Sequence, residues 1–302
     1  MEKTPTETYH IFGLLVESEL SLPELIKVVS TPDIVIRFDK IIEQVEIPSV
    51  SGICYKNYPD RFLLKVEGVA CFLVENGNSI IVDRAEGGSD DEIRLFLLGS
   101  AFGALIHQRG ILPFHGSAIV VCNQAVIFSG ISGAGKSTLA AGFIKKGYKL
   151  LADDVCVITL SNKGEPIAHP GYPQMKLWSD SLENLGHKTV ELRKIRKNIR
   201  KYALPIRPDF YNQSIPVRGI YVISVKNGTK IALKVLSGIE KFNAVNDNTY
   251  RMNFLKGGEN AVAHFKHIEA ISRYCSVNKL ERPSKGFYLD ELIKIIENDI
   301  TN

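Results

Sequence analysis

The chain has 302 residues, 45% apolar and 23% charged, with a net charge of +4. That length suits one large or two modest domains with cores of their own, and the composition excludes disordered and fibrous classes. No apolar run approaches the ~18 to 20 residues of a membrane span, and Met1-Glu2-Lys3-Thr4-Pro5 lacks the basic-then-apolar order of a signal peptide, which predicts a cytoplasmic protein with no membrane partner. The five cysteines (Cys54, Cys71, Cys122, Cys156, Cys275) are odd in number and form no C-x-x-C pair, which argues against a disulfide framework or zinc site, and buried free thiols are expected.

From Tyr9 to about Asp83, short apolar or alternating runs such as Ile34 to Phe38, Arg61 to Val66 and Ile80 to Val82 are punctuated by turn residues, predicting a small β-rich N-terminal domain over 1–88. Asn76-Gly77, between Cys71 to Val74 and the Ile80 run, marks a hairpin because both residues tolerate positive φ. Ser89-Asp90-Asp91-Glu92 matches a capping box and predicts a helix from Asp90 to about Gln108, apolar on more than one face, connecting the halves over 89–112. Beyond Pro113 the pattern changes to strands alternating with helices, the mark of an α/β domain over 113–302. Strands are predicted at Ala118 to Val121, Ala125 to Phe128, Leu150-Leu151, Val155 to Leu160, Gly219 to Val225 and Lys230 to Leu236. Helices are predicted at Lys136 to Lys146, Ala261 to Arg273 and Leu289 to Asn298.

Gly130-Ile131-Ser132-Gly133-Ala134-Gly135-Lys136-Ser137 fits G-x-x-x-x-G-K-[ST] and lies after an apolar strand and before a helix, as a P-loop must. Gly130, Gly133 and Gly135, with Ser132 and Ala134, let the backbone fold around phosphate oxygens with amides pointing at them. Lys136 is expected to reach the β- and γ-phosphates of a nucleoside triphosphate, Ser137 to ligate Mg²⁺, and Thr138 to make an accessory contact. The alternative is a glycine-rich turn that binds nothing. Asn162-Lys163-Gly164-Glu165 nearly matches a guanine-reading motif, but its terminal Glu and position favour a hairpin turn.

Asp153 and Asp154 stand 17 and 18 positions after Lys136, where the return from the helix brings them towards the phosphates. Of Asp153 and Asp154, one can accept the proton of an attacking hydroxyl while the other helps to hold the metal or its waters; the alternative is a solvated turn. His115 lies just ahead of the strand preceding the loop, either structural or placed to orient the base.

His115-Gly116, the loop, and Lys146-Gly147-Tyr148-Lys149-Leu150-Leu151-Ala152-Asp153-Asp154 together resemble the catalytic domain of bacterial HPr kinase/phosphorylase. The resemblance covers about residues 113–160 closely. It implies a P-loop fold akin to phosphoenolpyruvate carboxykinase, ATP and Mg²⁺ as cofactors, Asp154 as the proton acceptor from a substrate serine, and His115 as its catalytic neighbour. The family assembles into hexamers, so a homo-oligomer is a further implication, without the number. The family's L-E-I-R-G-x-G segment is absent after Asp154, and His169-Pro170-Gly171-Tyr172-Pro173-Gln174-Met175-Lys176-Leu177-Trp178 stands there instead. That departure argues against HPr as the acceptor and against phosphatase activity. The segment, with Phe12-Gly13-Leu14 and Ser21 to Leu25, looks like the shorter HPr-kinase-like proteins of lasso-peptide clusters, which implies a precursor peptide ending in serine as the partner. An HPr or small-alcohol kinase, or a nucleotide-dependent regulator without transfer, are the competing readings.

A basic cluster (Lys188, Arg193, Lys194, Arg196, Lys197, Arg200, Lys201, Arg207) is read either as a solvated helix face or as an attractor of an anionic peptide. Nucleic acid is not expected, since no aromatic interleaving accompanies the charges. Tyr172, Pro173 and Trp178 are read either as a peptide-binding wall or, the favoured reading, as packed under a loop, and His264 with His267, lacking a third ligand, are expected to hold no metal.

Overall fold

The computed structural model describes residues 6–43, 46–196, 198–255 and 260–301; Met1 to Pro5 and Lys197 of the basic cluster lie outside them. Two compact units emerge, residues 1–113 with 250–266, and residues 114–249 with 267–302. Residues 250–266, which the sequence reading leaves with the α/β half, thus cluster with the first unit.

The first unit is built on β1 (Glu7–Ile11), β2 (Leu14–Ser18), β3 (Ile26–Lys27), β4 (Ile34–Phe38), β5 (Val50–Ser51), β6 (Tyr55–Asn57), β7 (Arg61–Val66), β8 (Ala70–Glu75) and β9 (Ser79–Arg84). They form one sheet in the order β3-β1-β2-β4-β9-β8-β7-β6-β5. Strict alternation of buried and more exposed positions along β2 and β8 is the period-two signature of a sheet with one packed face. Asn76 and Gly77 adopt φ of 53° and 63° in the loop that closes the β8–β9 hairpin, as their composition predicts. Ser89 caps α1 (Asp90–Phe96): its hydroxyl accepts from the Glu92 amide at 3.4 Å and donates to the Glu92 carboxylate at 2.7 Å. A π turn over Leu97–Ala101 joins α1 to α2 (Phe102–Gln108), and every residue from Leu97 to His107 is buried, as the all-round apolar pattern predicts. Gly103 leaves room for the ring of Tyr250, where a Cβ would come within 2.9 Å, and the Tyr250 amide donates to the Pro113 carbonyl at 2.8 Å.

The second unit contains all but the first two residues of β10 (Leu112–Val121), then β11 (Gln124–Gly130), α3 (Lys136–Lys145), β12 (Lys149–Ala152), β13 (Val155–Leu160), β14 (Pro166–His169), β15 (Gln174–Trp178), α4 (Ser179–Leu185), β16 (Arg193–Lys194), β17 (Lys201–Pro205), β18 (Ile215–Lys226), β19 (Ala232–Val235) and α5 (Gly238–Asn246). The chain closes with α6 (Ala261–Tyr274), which spans the unit boundary, then β20 (Ser276–Pro283) and α7 (Leu289–Thr301). The long β18 runs parallel to both β11 and β20 in the main sheet, while β10 pairs antiparallel with β11 and with β12. A second, small sheet has the order β15-β17-β16. Phe128 of β11 and Phe143 of α3 stack at 5.3 Å in a core that includes Tyr221, Leu280, Met175 and Ile293. The strand before the phosphate loop and the helix after it are thereby fixed to each other by apolar burial.

Several expectations are corrected. Only Cys156 and Cys275 are buried; Cys54 and Cys122 are exposed and Cys71 is intermediate, because all three sit on the outer side or at the turns of their strands. The basic segment is not a helix face: it holds a short 3₁₀ turn at Thr189–Glu191, β16 and the start of β17. Trp178 remains 43% exposed, since it ends β15 at the lip of a cleft instead of under a loop, whereas Tyr172 is buried. Asn162 to Glu165 does form the β13–β14 hairpin turn, with Leu160 paired to Pro166.

Candidate active site

The phosphate loop leaves β11 at Gly130 and enters α3 at Lys136. Gly130, Gly133 and Gly135 take φ of 130°, 83° and 106°, values that L side chains avoid. Residues Ser132 to Thr138 line a cleft of about 300 Å³ together with His115, Asp154, Lys176 and Lys201. Gly130 is not part of that lining; its amide donates to the Asn248 side-chain oxygen at 2.9 Å. Lys136 is buried, and its ammonium donates to the carbonyls of Gly130 at 2.8 Å and Ile131 at 3.1 Å. Burial lowers its pKa, while Asp154 and Asp153 favour the charged form. The Thr138 hydroxyl bonds to Ser181 of α4 at 2.8 Å.

The acidic pair forms the turn between β12 and β13, and the turn divides it. Ala152 of β12 is paired with Ala118 of β10, which brings Asp153 beside Ser117. The buried Asp153 carboxylate accepts from the Ser117 hydroxyl at 2.7 Å and from the Lys176 amide at 2.8 Å. Ser117 Oγ also lies 3.5 Å from Ser137 Oγ, so Asp153 approaches Ser137 through an intervening hydroxyl. Asp154 takes φ of 73°, a conformation asparagine and aspartate tolerate better than most residues, and turns its carboxylate into the cleft with 25% of the side chain exposed. The Lys176 ammonium pairs with it at 3.1 Å, on a side chain only 8% exposed. Partial burial would raise the Asp154 pKa, but Lys176, Lys201 and His115 outweigh it and hold the carboxyl well below the ordinary range.

His115 lies on β10 two residues before Ser117, so both point to the same side of the strand. Its Nδ1 donates to the Asp154 carbonyl at 3.0 Å, which fixes the tautomer with Nε2 as the acceptor. Burial and the nearby Lys136 push its pKa down against the pull of Asp154, which favours the neutral ring. Asn248 fastens this corner: its carbonyl accepts from the His115 amide at 2.8 Å and its side chain from Gly130. Asn248→Ala is expected to leave the Gly130 amide without that acceptor and to cost about 1–2 kcal/mol of stability, with weakened nucleotide binding, as measured by urea unfolding and by titration calorimetry.

Sequence reasoning missed four residues here. Lys176 and Lys201 lie in segments it noted but did not assign; Arg282 at the end of β20 donates to the Ala134 carbonyl at 2.8 Å, and Asn248 carries no local signal. Among the described residues no three His, Cys, Asp or Glu side chains gather to hold a metal by themselves. The hydroxyl of Ser137 and the carboxylates of Asp153 and Asp154 are hard oxygen donors of the kind Mg²⁺ accepts when phosphate and water complete its shell, so the donor set fits.

No family model matches the chain. Among curated proteins, the HPr kinase/phosphorylase of Chlorobium limicola is 42% identical over 62 residues, 20% of this chain and 17% of that one. That of Chloroherpeton thalassium is 31% identical over 108 residues, 33% of this chain and 31% of that one. The matches therefore span less than a third of the relatives' own length. Among solved structures, the Hpr(Ser) kinase/phosphatase from Coxiella burnetii overlaps with a TM-score of 0.32 at 14% identity, over 63% of this chain and 94% of that one. The chain is HPr kinase-like over a limited stretch of sequence, in a mixed α/β protein with the G-x-x-x-x-G-K-S segment between β11 and α3. Among the described residues no helix is long and apolar enough to cross a membrane.

Proposed function

We propose that the chain is an ATP- and Mg²⁺-dependent serine kinase whose acceptor is a peptide, most specifically the C-terminal serine of a lasso-type precursor. The observation that carries this reading is the Asp154 carboxylate, turned by its positive φ into the cleft that the phosphate loop and Lys136 line. Local similarity to HPr kinase/phosphorylases supports the reaction class.

In this reading the loop amides from Ser132 to Thr138 bind the phosphates and Lys136 offsets their charge. The Ser137 hydroxyl, with Asp153 beside it, would hold Mg²⁺, which would supply charge neutralisation on the transferred group. Asp154 orients the seryl hydroxyl. As the new O–P bond forms and the bond from the γ-phosphorus to the bridging oxygen breaks, the hydroxyl proton passes to the Asp154 carboxylate. A carboxylate of depressed pKa is a weak base. Phosphoryl transfer passes through a loose transition state in which the hydroxyl keeps its proton until late, so orientation counts for more than basicity. His115 positions Asp154 by its bond to the backbone carbonyl, and Lys176 holds the carboxylate ionised.

The test is transfer of label from γ-³²P-ATP with Mg²⁺ to HPr, to a precursor peptide ending in serine, and to that peptide ending in alanine. Label on the serine-ending peptide alone is the expected result. Label on HPr alone would return the chain to the reaction of its relatives, and no label with intact ATP binding would favour a regulator.

A further inference from the structure

The small sheet β15-β17-β16 presents one face to the cleft. Directly opposed residues on antiparallel strands share a face, and Lys176 is paired with Ala203 and Trp178 with Lys201. Lys176, Trp178 and Lys201 all line the cleft. The other cations of the site are engaged: Lys136 on two loop carbonyls, Lys176 on Asp154, and Arg282 on the carbonyl of Ala134. Lys201 differs. The residue is half-buried, its ammonium makes no ion pair or hydrogen bond with any described residue, and the nitrogen lies 6.0 Å from the centroid of the Trp178 ring. It is close enough to Asp154 and Lys136 for its charge to act on both. The lining of the cleft carries Lys136, Lys176, Lys201 and Arg282 against Asp154 and Asp180, and Lys201 stands on the wall formed by the small sheet, beside an exposed aromatic face.

We propose that Lys201 binds a carboxylate of the acceptor, placed next to the seryl hydroxyl that Asp154 orients. This rests on the kinase reading above and names what that cleft selects. The carboxylate is either the C-terminal group of a chain ending in serine or an acidic side chain adjoining the serine. A single charge-assisted bond in a partly dry cleft separates ligands with and without the group by at least about ten-fold. Trp178 alongside covers the aliphatic part of the same residue and excludes water.

The test uses titration calorimetry on the full chain with Mg²⁺ and a non-hydrolysable ATP analogue. Three forms of a serine-ending peptide serve as probes: the free acid, the C-terminal amide, and the amide with Asp placed before the serine. The expected result is an acid form bound at least about ten-fold more tightly than the amide, a preference lost in Lys201→Met and kept in Lys201→Arg. Rescue by the aspartate probe would assign the side-chain source, and its failure the C-terminal source; either is consistent with the proposal. Equal affinity of acid and amide, no measurable binding of the acid, or a preference that survives Lys201→Met would overturn it. So would a Lys201→Met protein that loses the ATP analogue but keeps the peptide preference, since the lysine would then serve the phosphates. Parallel label transfer separates the two claims: an acid preference without any transfer would sink the kinase reading and leave the carboxylate site standing.

Discussion

Asp154→Asn is expected to lower phosphoryl transfer by about a hundred- to ten-thousand-fold while changing ATP affinity by less than about three-fold. The substitution is nearly isosteric, and asparagine tolerates the positive φ of 73° as aspartate does, so the turn between β12 and β13 keeps its shape. What disappears is the charge: the variant cannot accept the seryl proton, and the Lys176 ammonium loses its ion pair at 3.1 Å. Steady-state label transfer checks the first half, and calorimetric titration with ATP and Mg²⁺ the second. Transfer within ten-fold of the wild type would show that Asp154 is not the proton acceptor. A parallel loss of ATP affinity would instead place its role at the nucleotide or its metal.

Gly130→Ala is expected to destabilise the second unit by about 3 kcal/mol or more, a fall of roughly 6–12 °C in melting temperature. Two causes combine. A Cβ at Gly130 would stand 2.3 Å from the backbone oxygen of Ile223, and the φ of 130° is one L residues avoid. Neither obstacle can relax cheaply, because β11 and β18 are parallel neighbours paired from Ala125 to Gly130. Gly164→Ala, in the β13–β14 turn, separates the causes: its φ is 78° but nothing lies within 4 Å of the added carbon, so only backbone strain remains, about 1 kcal/mol. Differential scanning calorimetry of both variants without nucleotide is the check. Equal shifts would mean that the close approach of Gly130 to β18 does not constrain the loop.

The elements that were legible in the sequence are those whose cause is local. The hairpin at Asn76-Gly77, the capped start of α1 and the strand, loop and helix around Lys136 each depend on residues within a few positions of one another, where φ preference, capping and apolar periodicity act directly. The small sheet was not legible. Its strands are short, β16 has two residues, and basic side chains along it carry no apolar alternation, so no period can be read and a solvated helix face is as open a reading as a strand.

The same division runs through the candidate site. The sequence by itself determined that a G-x-x-x-x-G-K-S pattern stands between an apolar strand and a helix, that two carboxylates and a histidine accompany it at set spacings, and that basic residues cluster downstream, because residue type and spacing are properties of the chain. Only the tertiary structure decided which carboxylate faces the cleft. The β10–β12 register turns Asp153 onto Ser117, and the positive φ of the next residue turns Asp154 outward. It likewise selected Lys176 and Lys201 from their neighbours, and brought Asn248 to Gly130 from 118 positions away. The physical reason is that a one-residue change of register moves a strand's side chains to the opposite face, and register is set by pairing with distant strands rather than by the residues that carry the chemistry.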